Sequence, residues 1–325
     1  MGQPTGGTSS TPGPRGATNP AASPGPAVLR MTPADVTLLA VLGLLWGSAY
    51  VFIKEGIDLG ASPLLFASAR YGLAAAAFAL IALVRKEALP GRRALSVSAL
   101  VGGILFIGCY GGFLYWAEQF TTGGYAAVLS ATGPILTVVV AFSLLPAERF
   151  GTLSLVGLAV GFAGVVVLVT PELLGGGLGS WQGPLFIIAA FVAAAFGTVL
   201  LRRFGGGRQT LWQIGSQFAV GGLILGLAAL VLPFPEALPA VPGVWAALAA
   251  LVLLSSVIGY FIYFTLHHRV GPVRANIVAY LIPLAGIGIG TGFFGEAITW
   301  WEIVGFVIVL GGVTLIILES SRSRP

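Results

Sequence analysis

PILTVVVAFSLLPAERFGTLSLVGLAVGFAG (residues 134–164) and PLAGIGIGTGFFGEAITWWEIVGFVIVLGG (residues 283–312) are two copies of one pattern. In the first, Pro134 precedes Glu148 by 14 residues, and Gly157 and Gly164 follow that glutamate by 9 and 16. In the second, Pro283 precedes Glu296 by 13, and Gly305 and Gly312 follow it by 9 and 16. Each copy is an apolar run, a short polar interruption holding a glutamate, and another apolar run. Two long helices joined by a tight connection fit that order, and the chain is internally duplicated.

Working outward, the same alternation fills the chain from Val36 onward. Apolar runs fall at 36–54, 63–84, 95–115, 122–145, 152–170, 183–201, 210–232, 243–266, 272–294 and 299–318. Runs of about 18 to 24 residues cross about 30 Å of hydrocarbon at about 1.5 Å per residue. A closed β-barrel would show alternation over segments of about ten residues, whereas these runs are continuously apolar and rich in Ala, Leu and Gly. Composition agrees: of 325 residues, 57% are hydrophobic and 8% charged, with a mean hydropathy of +0.97. A soluble domain carries roughly a quarter charged residues, so this chain is expected to be an all-α integral membrane protein with ten transmembrane helices.

Charge placement gives orientation. Arg85, Lys86, Arg92, Arg93, Arg149, Arg202, Arg203, Arg208, Arg269 and Arg274 fall in alternate connections, and Lys54 is left as the one basic residue at the other face. Basic loops stay in the cytoplasm, so both termini are expected there, in a plasma (inner) membrane. Residues 1–31 are rich in Gly, Pro, Ser, Thr and Ala, lack a signal-peptide apolar run, and read as a disordered cytoplasmic tail, with a second short tail at 319–325. The net charge of +5 is therefore a topology signal rather than a nucleic-acid footprint. The single cysteine, Cys109, allows no internal disulfide and no cysteine-rich metal site.

Residues 36–170 and 183–318 form the two expected units. Each holds five helices, and an odd number makes the second copy enter the membrane from the opposite side, giving an inverted repeat of the kind found in alternating-access transporters. WGSAY (46–50) with Lys54, SPLLFASAR (62–70) with Tyr71, and GPILT (133–137) leading to AER (147–149) resemble the EamA family of the drug/metabolite transporter superfamily. IPLA (282–285) leading to GEA (295–297) repeats the closing pattern, and the likeness covers about residues 36–318. The resemblance implies a secondary transporter, most like the ten-helix exporters of amino acids and related amphipathic metabolites. Another metabolite or drug class is the alternative, and a membrane enzyme, scaffold or passive channel the more distant one.

Several side chains stand out chemically. Arg70 lies about 10 Å below the end of its helix, where a charge costs at least about 2.5–3.5 kcal/mol unless it meets a partner or a wet cavity. It reads either as the holder of a substrate or gating carboxylate or as a structural arginine bonded to helix-end carbonyls. Lys54 reads as a snorkelling interfacial lysine or as a site residue; Trp46 and Ser48 share its motif, and Gly47 reads as a helix opening or, through Gly43-x-x-x-Gly47, as a packing contact. Tyr110 and Trp116, with Tyr260 and Tyr280 in the second half, fit an interfacial belt or an aromatic wall. Gln213 and Gln217, at i and i+4, are expected to border the cavity ahead of those aromatics, because polar groups in hydrocarbon face the bundle interior. Pro134 and Pro283 are kinks or hinges, and Gly157 and Gly305 are helix-packing positions.

Other motifs are set aside. His267 and His268 are adjacent, point to different faces and make no i,i+4 metal pair. GTGFFG (290–295) matches a dinucleotide fingerprint but lies in a membrane run without a preceding strand, and the loop at 175–180 lacks the lysine of a phosphate-binding loop. No metal, cofactor or catalytic residue is expected. The expected partners are a small-molecule substrate and the lipid bilayer, not nucleic acid, with proton coupling and homodimerisation left open.

Overall fold

The computed structural model describes Gly2 and residues 32–144, 152–173, 180–205, 209–232, 238–270, 275 and 278–322. The expected N-terminal tail apart from Gly2, and Glu148 and Arg149, lie outside these residues, as do most of the 175–180 loop and the side chains of His267 and His268; of the expected second tail, residues 319–322 continue the last helix and 323–325 lie outside. Among the described residues every regular element is helical: α1 (Pro33–Asp58), α2 (Pro63–Val84), α3 (Arg92–Ala117), α4 (Gly123–Leu144), α5 (Thr152–Leu173), α6 (Gln182–Phe204), α7 (Leu211–Val231), α8 (Pro242–Leu266, continuing to Val270), α9 (Val278–Phe294) and α10 (Trp300–Arg322). Seven of them, α1 to α4 and α6 to α8, are long and apolar enough to cross a membrane. The other three contribute shorter apolar stretches, Leu155–Leu168, Val278–Phe294 and Trp300–Leu315.

Local chemistry starts these helices where the polar interruptions predict. Thr32 caps α1, its hydroxyl accepting from the Asp35 N–H while the Asp35 carboxylate accepts from the Thr32 N–H at 3.0 Å; Pro33 occupies the first turn. Thr210 and Gln213 form the same reciprocal box on α7. Thr122 caps α4. Satisfied terminal N–H groups matter more here than in water, because hydrocarbon offers no substitute partner.

Small residues set the packing. A Cβ on Gly47 would lie 2.6 Å from the Ala285 Cβ and 2.7 Å from the Ile282 carbonyl oxygen, so α1 and α9 touch backbone to backbone and run parallel, with Gly43 against Leu281. On α7, Gly215 faces Phe78 while Gly222 faces Gly72 and Ser68, which makes α2 and α7 antiparallel. α5 and α10 are antiparallel too: Gly157 meets Gly312, and Gly164 meets Gly305 with Val309. Small interfaces of this sort let dispersion and backbone contacts hold helices together where burial from water cannot. Leu80, Leu83, Leu223, Leu227 and Leu230, by contrast, present exposed apolar side chains on the outside of α2 and α7, a surface suited to lipid.

Two helices depart from regular winding in corresponding places. Ser98–Cys109 in α3 and Leu251–Ile258 in α8 adopt the wider i→i+5 turn. Such turns are rare and redirect the side chains that follow them. In α8 the wide turn carries two adjacent serines, Ser255 and Ser256, both buried.

Candidate functional site

The helices enclose a cavity of about 260 Å³. α1 supplies Trp46, Tyr50 and Ile53; α2 supplies Arg70 and Tyr71; α3 supplies Phe106 and Tyr110. The remaining wall comes from α4 (Ser130, Pro134, Thr137), α6 (Phe191, Thr198), α7 (Phe218), α8 (Ser255, Tyr260) and α9 (Ile282). Eight of these residues are aromatic, with hydroxyls interspersed. Trp46 packs edge-on to Tyr260 at 5.8 Å, Tyr260 edge-on to Phe218 at 5.3 Å, and Phe218 lies 5.6 Å from Tyr71. Rings at these separations attract edge to face and hold one another in place.

Among the described residues Arg70 is the one charged residue in the wall, and it is only 8% exposed. Its guanidinium donates to three neutral hydroxyls: Nε to Ser256 Oγ at 3.2 Å, Nη1 to Tyr115 OH at 3.2 Å and Nη2 to Ser255 Oγ at 2.9 Å. The Tyr71 ring lies under it, 5.2 Å from the guanidinium carbon. Among the described residues no carboxylate pairs with it. Three hydroxyls orient a cation without cancelling its charge, so the positive field reaches into the cavity. The wide turn in α8 makes this possible. Ser256 donates to the Leu251 carbonyl five residues back, 3.1 Å away, which leaves its oxygen turned to accept from Arg70. Trp46 Nε1–H bonds the Ser255 carbonyl at 3.1 Å, tying α1 to the same turn.

The site candidates divide between the cavity and its surroundings. Arg70, Trp46, Tyr110, Tyr260 and Pro134 line it, and Tyr110 OH stands 3.5 Å from Tyr50 OH. Ser48 turns back to the Leu45 carbonyl, and Lys54 pairs with Asp58 at 2.7 Å near the helix end. Trp116 packs on Phe186 and Phe120, and Tyr280 packs partly buried against the core. Gln213 and Gln217 lie off the cavity. Gln213 caps its own helix and reaches the Ala94 carbonyl, and Gln217 donates to Ser98 Oγ at 2.7 Å. The order anticipated from polarity is thus reversed. These amides meet their need for partners in a helix contact, and aromatic hydroxyls take the wall.

Gly47 serves the α1–α9 contact, Gly157 and Gly305 the α5–α10 contact, and Pro283 sits buried inside α9. Tyr50, Tyr71, Ser255, Ser256, Phe191 and Phe218 join the site without having been singled out for it, and Tyr115, which stands with Tyr110 among the aromatics that end α3, joins it as a partner of Arg70. The adjacent serines in an otherwise apolar run were the available signal, because two hydroxyls at that depth require partners. Among the described residues no group of three or more His, Cys, Asp or Glu side chains is placed to hold a metal ion.

Helices of membrane-spanning length around a small, ring-lined, positively charged cavity define a multi-pass membrane protein that binds a small solute. Residues 35–170 and 181–318 each match the EamA-like transporter family, and the chain belongs to that family of the drug/metabolite transporter superfamily. It is 32% identical over 288 residues to the uncharacterized inner membrane transporter YedA of Escherichia coli K12, covering 86% of this chain and 89% of that one. To the uncharacterized transporter YvbV of Bacillus subtilis 168 it is 26% identical, covering 88% and 92%. A protein of known crystal structure shares the fold at a TM-score of 0.63 and 20% identity, over 88% of this chain and 99% of its own. The protein is a membrane transporter of the EamA type.

Proposed function

We propose that this transporter exports small carboxylate-bearing amphipathic molecules, amino acids with aromatic or large apolar side chains first among them. The observation that carries this reading is Arg70: a buried cation, held by neutral hydroxyls, facing a cavity walled by rings. A carboxylate there would accept charge-assisted hydrogen bonds, the wall would bury an apolar side chain, and the ring faces would attract an ammonium group. A volume of about 260 Å³ is below the roughly 300–1,000 Å³ of drug-sized pockets, which favours a metabolite over a large drug. Export follows the resemblance to metabolite exporters.

Alternating access between two inverted five-helix units, ten spans in all, is the mechanism we infer. Reciprocity in the helix contacts supports it. Gly157 meets Gly312 while Gly164 meets Gly305, and Gly305 and Gly312 are the second-half counterparts of Gly157 and Gly164. A pair of contacts that exchanges in this way is what a two-fold axis across the helices produces. The wide turns of α3 and α8 occupy corresponding positions as well. Orientation with both termini in the cytoplasm of an inner-membrane protein rests on the basic residues, since Arg85, Arg203 and Arg269 lie at the α1 N-terminal end and Lys54 at the other.

Flux in proteoliposomes tests the reading. L-phenylalanine and its methyl ester are compared in wild type and in Arg70→Lys, which keeps the charge and loses the planar fork. A selective loss for the acid, with monodisperse protein, is the expected result. Equal loss for acid and ester, or no change in either, overturns the carboxylate role.

A further inference from the structure

Glu118 follows α3 directly, at the end where Lys54 and Asp58 close α1. It is fully buried, and neither carboxyl oxygen has a hydrogen-bond partner. Each neighbouring charge is already engaged. Lys54 holds Asp58 at 2.7 Å, and Arg70 holds Ser255, Ser256 and Tyr115. Glu296 accepts from the Gly123 and Gly124 N–H groups at 3.0 and 2.7 Å. Tyr115 stands one turn before Glu118 on the same helix, so the carboxyl lies next to the Arg70 cluster, between it and the Lys54 end. Tyr50 from α1 and Tyr71 from α2 are further titratable neighbours. α6 brings its own charges, Arg202 and Arg203, only at the opposite end.

An ionised carboxylate in that setting would forgo both hydration and hydrogen bonds, a cost that a side chain escapes by binding a proton. We propose that Glu118 is a proton-binding site coupled to the opening of the Lys54 end. The proton is bound while the helices are closed as here, and it leaves to water when that end opens and Lys54 can meet the carboxylate. The proposal rests on the alternating-access reading. Burial pushes the Glu118 carboxyl well above the ordinary carboxylate range; Lys54 opposes this, Glu296 adds to it, Arg70 opposes it and Asp58 adds to it. No part of substrate binding requires Glu118, so the site would make the opening of that end respond to pH without altering the substrate contacts.

Two measurements on the full-length protein decide it. Infrared difference spectra of wild type and Glu118→Gln at neutral pH should show a protonated-carboxyl band that the variant lacks. Spectra without that difference overturn the proposal. Glu118→Gln replaces a neutral carboxyl by its neutral isostere, so a variant that yields no monodisperse protein overturns it as well. The second measurement labels Thr121→Cys, introduced at the same end after Cys109→Ala, with an impermeant maleimide across a pH series. Labelling is read as a ratio to that of Gly60→Cys, exposed in the same background, which cancels the pH dependence of thiolate formation; one proton released on opening makes this ratio rise by up to about tenfold per pH unit in wild type. Glu118→Gln should be flat. A flat wild type, or a slope that survives in the variant, rejects the coupling. Added L-phenylalanine separates the two readings: labelling that responds to it but not to pH rejects the proton site alone. Labelling that responds to neither rejects alternating access with it.

Discussion

Gly164→Ala adds one methyl group at the α5–α10 crossing, and the structure says where it goes. The new Cβ would stand 2.7 Å from the Val309 backbone nitrogen and 2.9 Å from the Gly305 carbonyl oxygen. Both obstacles are main chain and cannot rotate away, so the helices must separate by roughly 0.7 Å to restore van der Waals contact. Overpacking of this kind costs about 1–3 kcal/mol, against a helix-propensity gain of at most about 1 kcal/mol for replacing glycine. The expected net loss is about 1–2 kcal/mol, and Leu at Gly157 or Gly305 should do more damage still. Gly311→Ala is the matched control: it lies on the partner helix with nothing within 4 Å of its Cβ, so propensity alone acts and stability should hold or rise. Heating each protein in detergent and measuring the monodisperse fraction that survives compares the three. Equal melting of Gly164→Ala and wild type, or equal destabilisation by Gly311→Ala, would refute backbone-to-backbone packing at this crossing.

Three further outcomes are expected. Ser255→Ala with Ser256→Ala removes two acceptors from a buried guanidinium, each worth about 1.5–3 kcal/mol as a hydrogen bond to a charged group, and should raise the KM for L-phenylalanine more than tenfold in proteoliposomes while the methyl ester is spared; unchanged acid transport would remove the serines from the site. Glu296→Gln keeps a side chain of the same shape at Gly123 and Gly124 but loses the charge facing the start of α4, so thermal stability in detergent should fall by about 0.5–2 kcal/mol. A cysteine placed at residue 60 in the Cys109→Ala background should react with an impermeant reagent in intact cells, and one at residue 90 only after permeabilisation; the reverse pattern inverts the orientation.

Run length and polar punctuation were enough to read an all-helical membrane chain. Pro33, Pro63 and Pro242 stand at first turns, and Thr32, Thr122 and Thr210 at caps, because hydrocarbon penalises every unpartnered N–H and leaves the chain few ways to begin a span. Arg70 stood out for the same reason. Which polar residue faces which way was harder to read. Gln213 and Gln217 looked like cavity residues on polarity alone, but a buried amide needs an acceptor rather than a cavity, and the Ala94 carbonyl and Ser98 hydroxyl were hidden in another helix. Ser255 and Ser256 reach Arg70 through a wide turn that no local propensity announces. Glu118 closes α3 at a polar interruption where an acid is unremarkable, and the packing around it keeps water away.

The acceptor for the Gly123 and Gly124 N–H groups is a side chain 172 to 173 positions further along the chain. During synthesis, α4 is therefore made before the carboxylate that meets its first two N–H groups exists, and nearly the whole polypeptide has to emerge before that end is fully satisfied. Until then its first turn depends on Thr122 and on borrowed partners such as lipid headgroups or water. Maturation of the first half is consequently timed by the arrival of the second, and a chain cut after α5 would keep an unfinished helix that only a co-produced second fragment could complete.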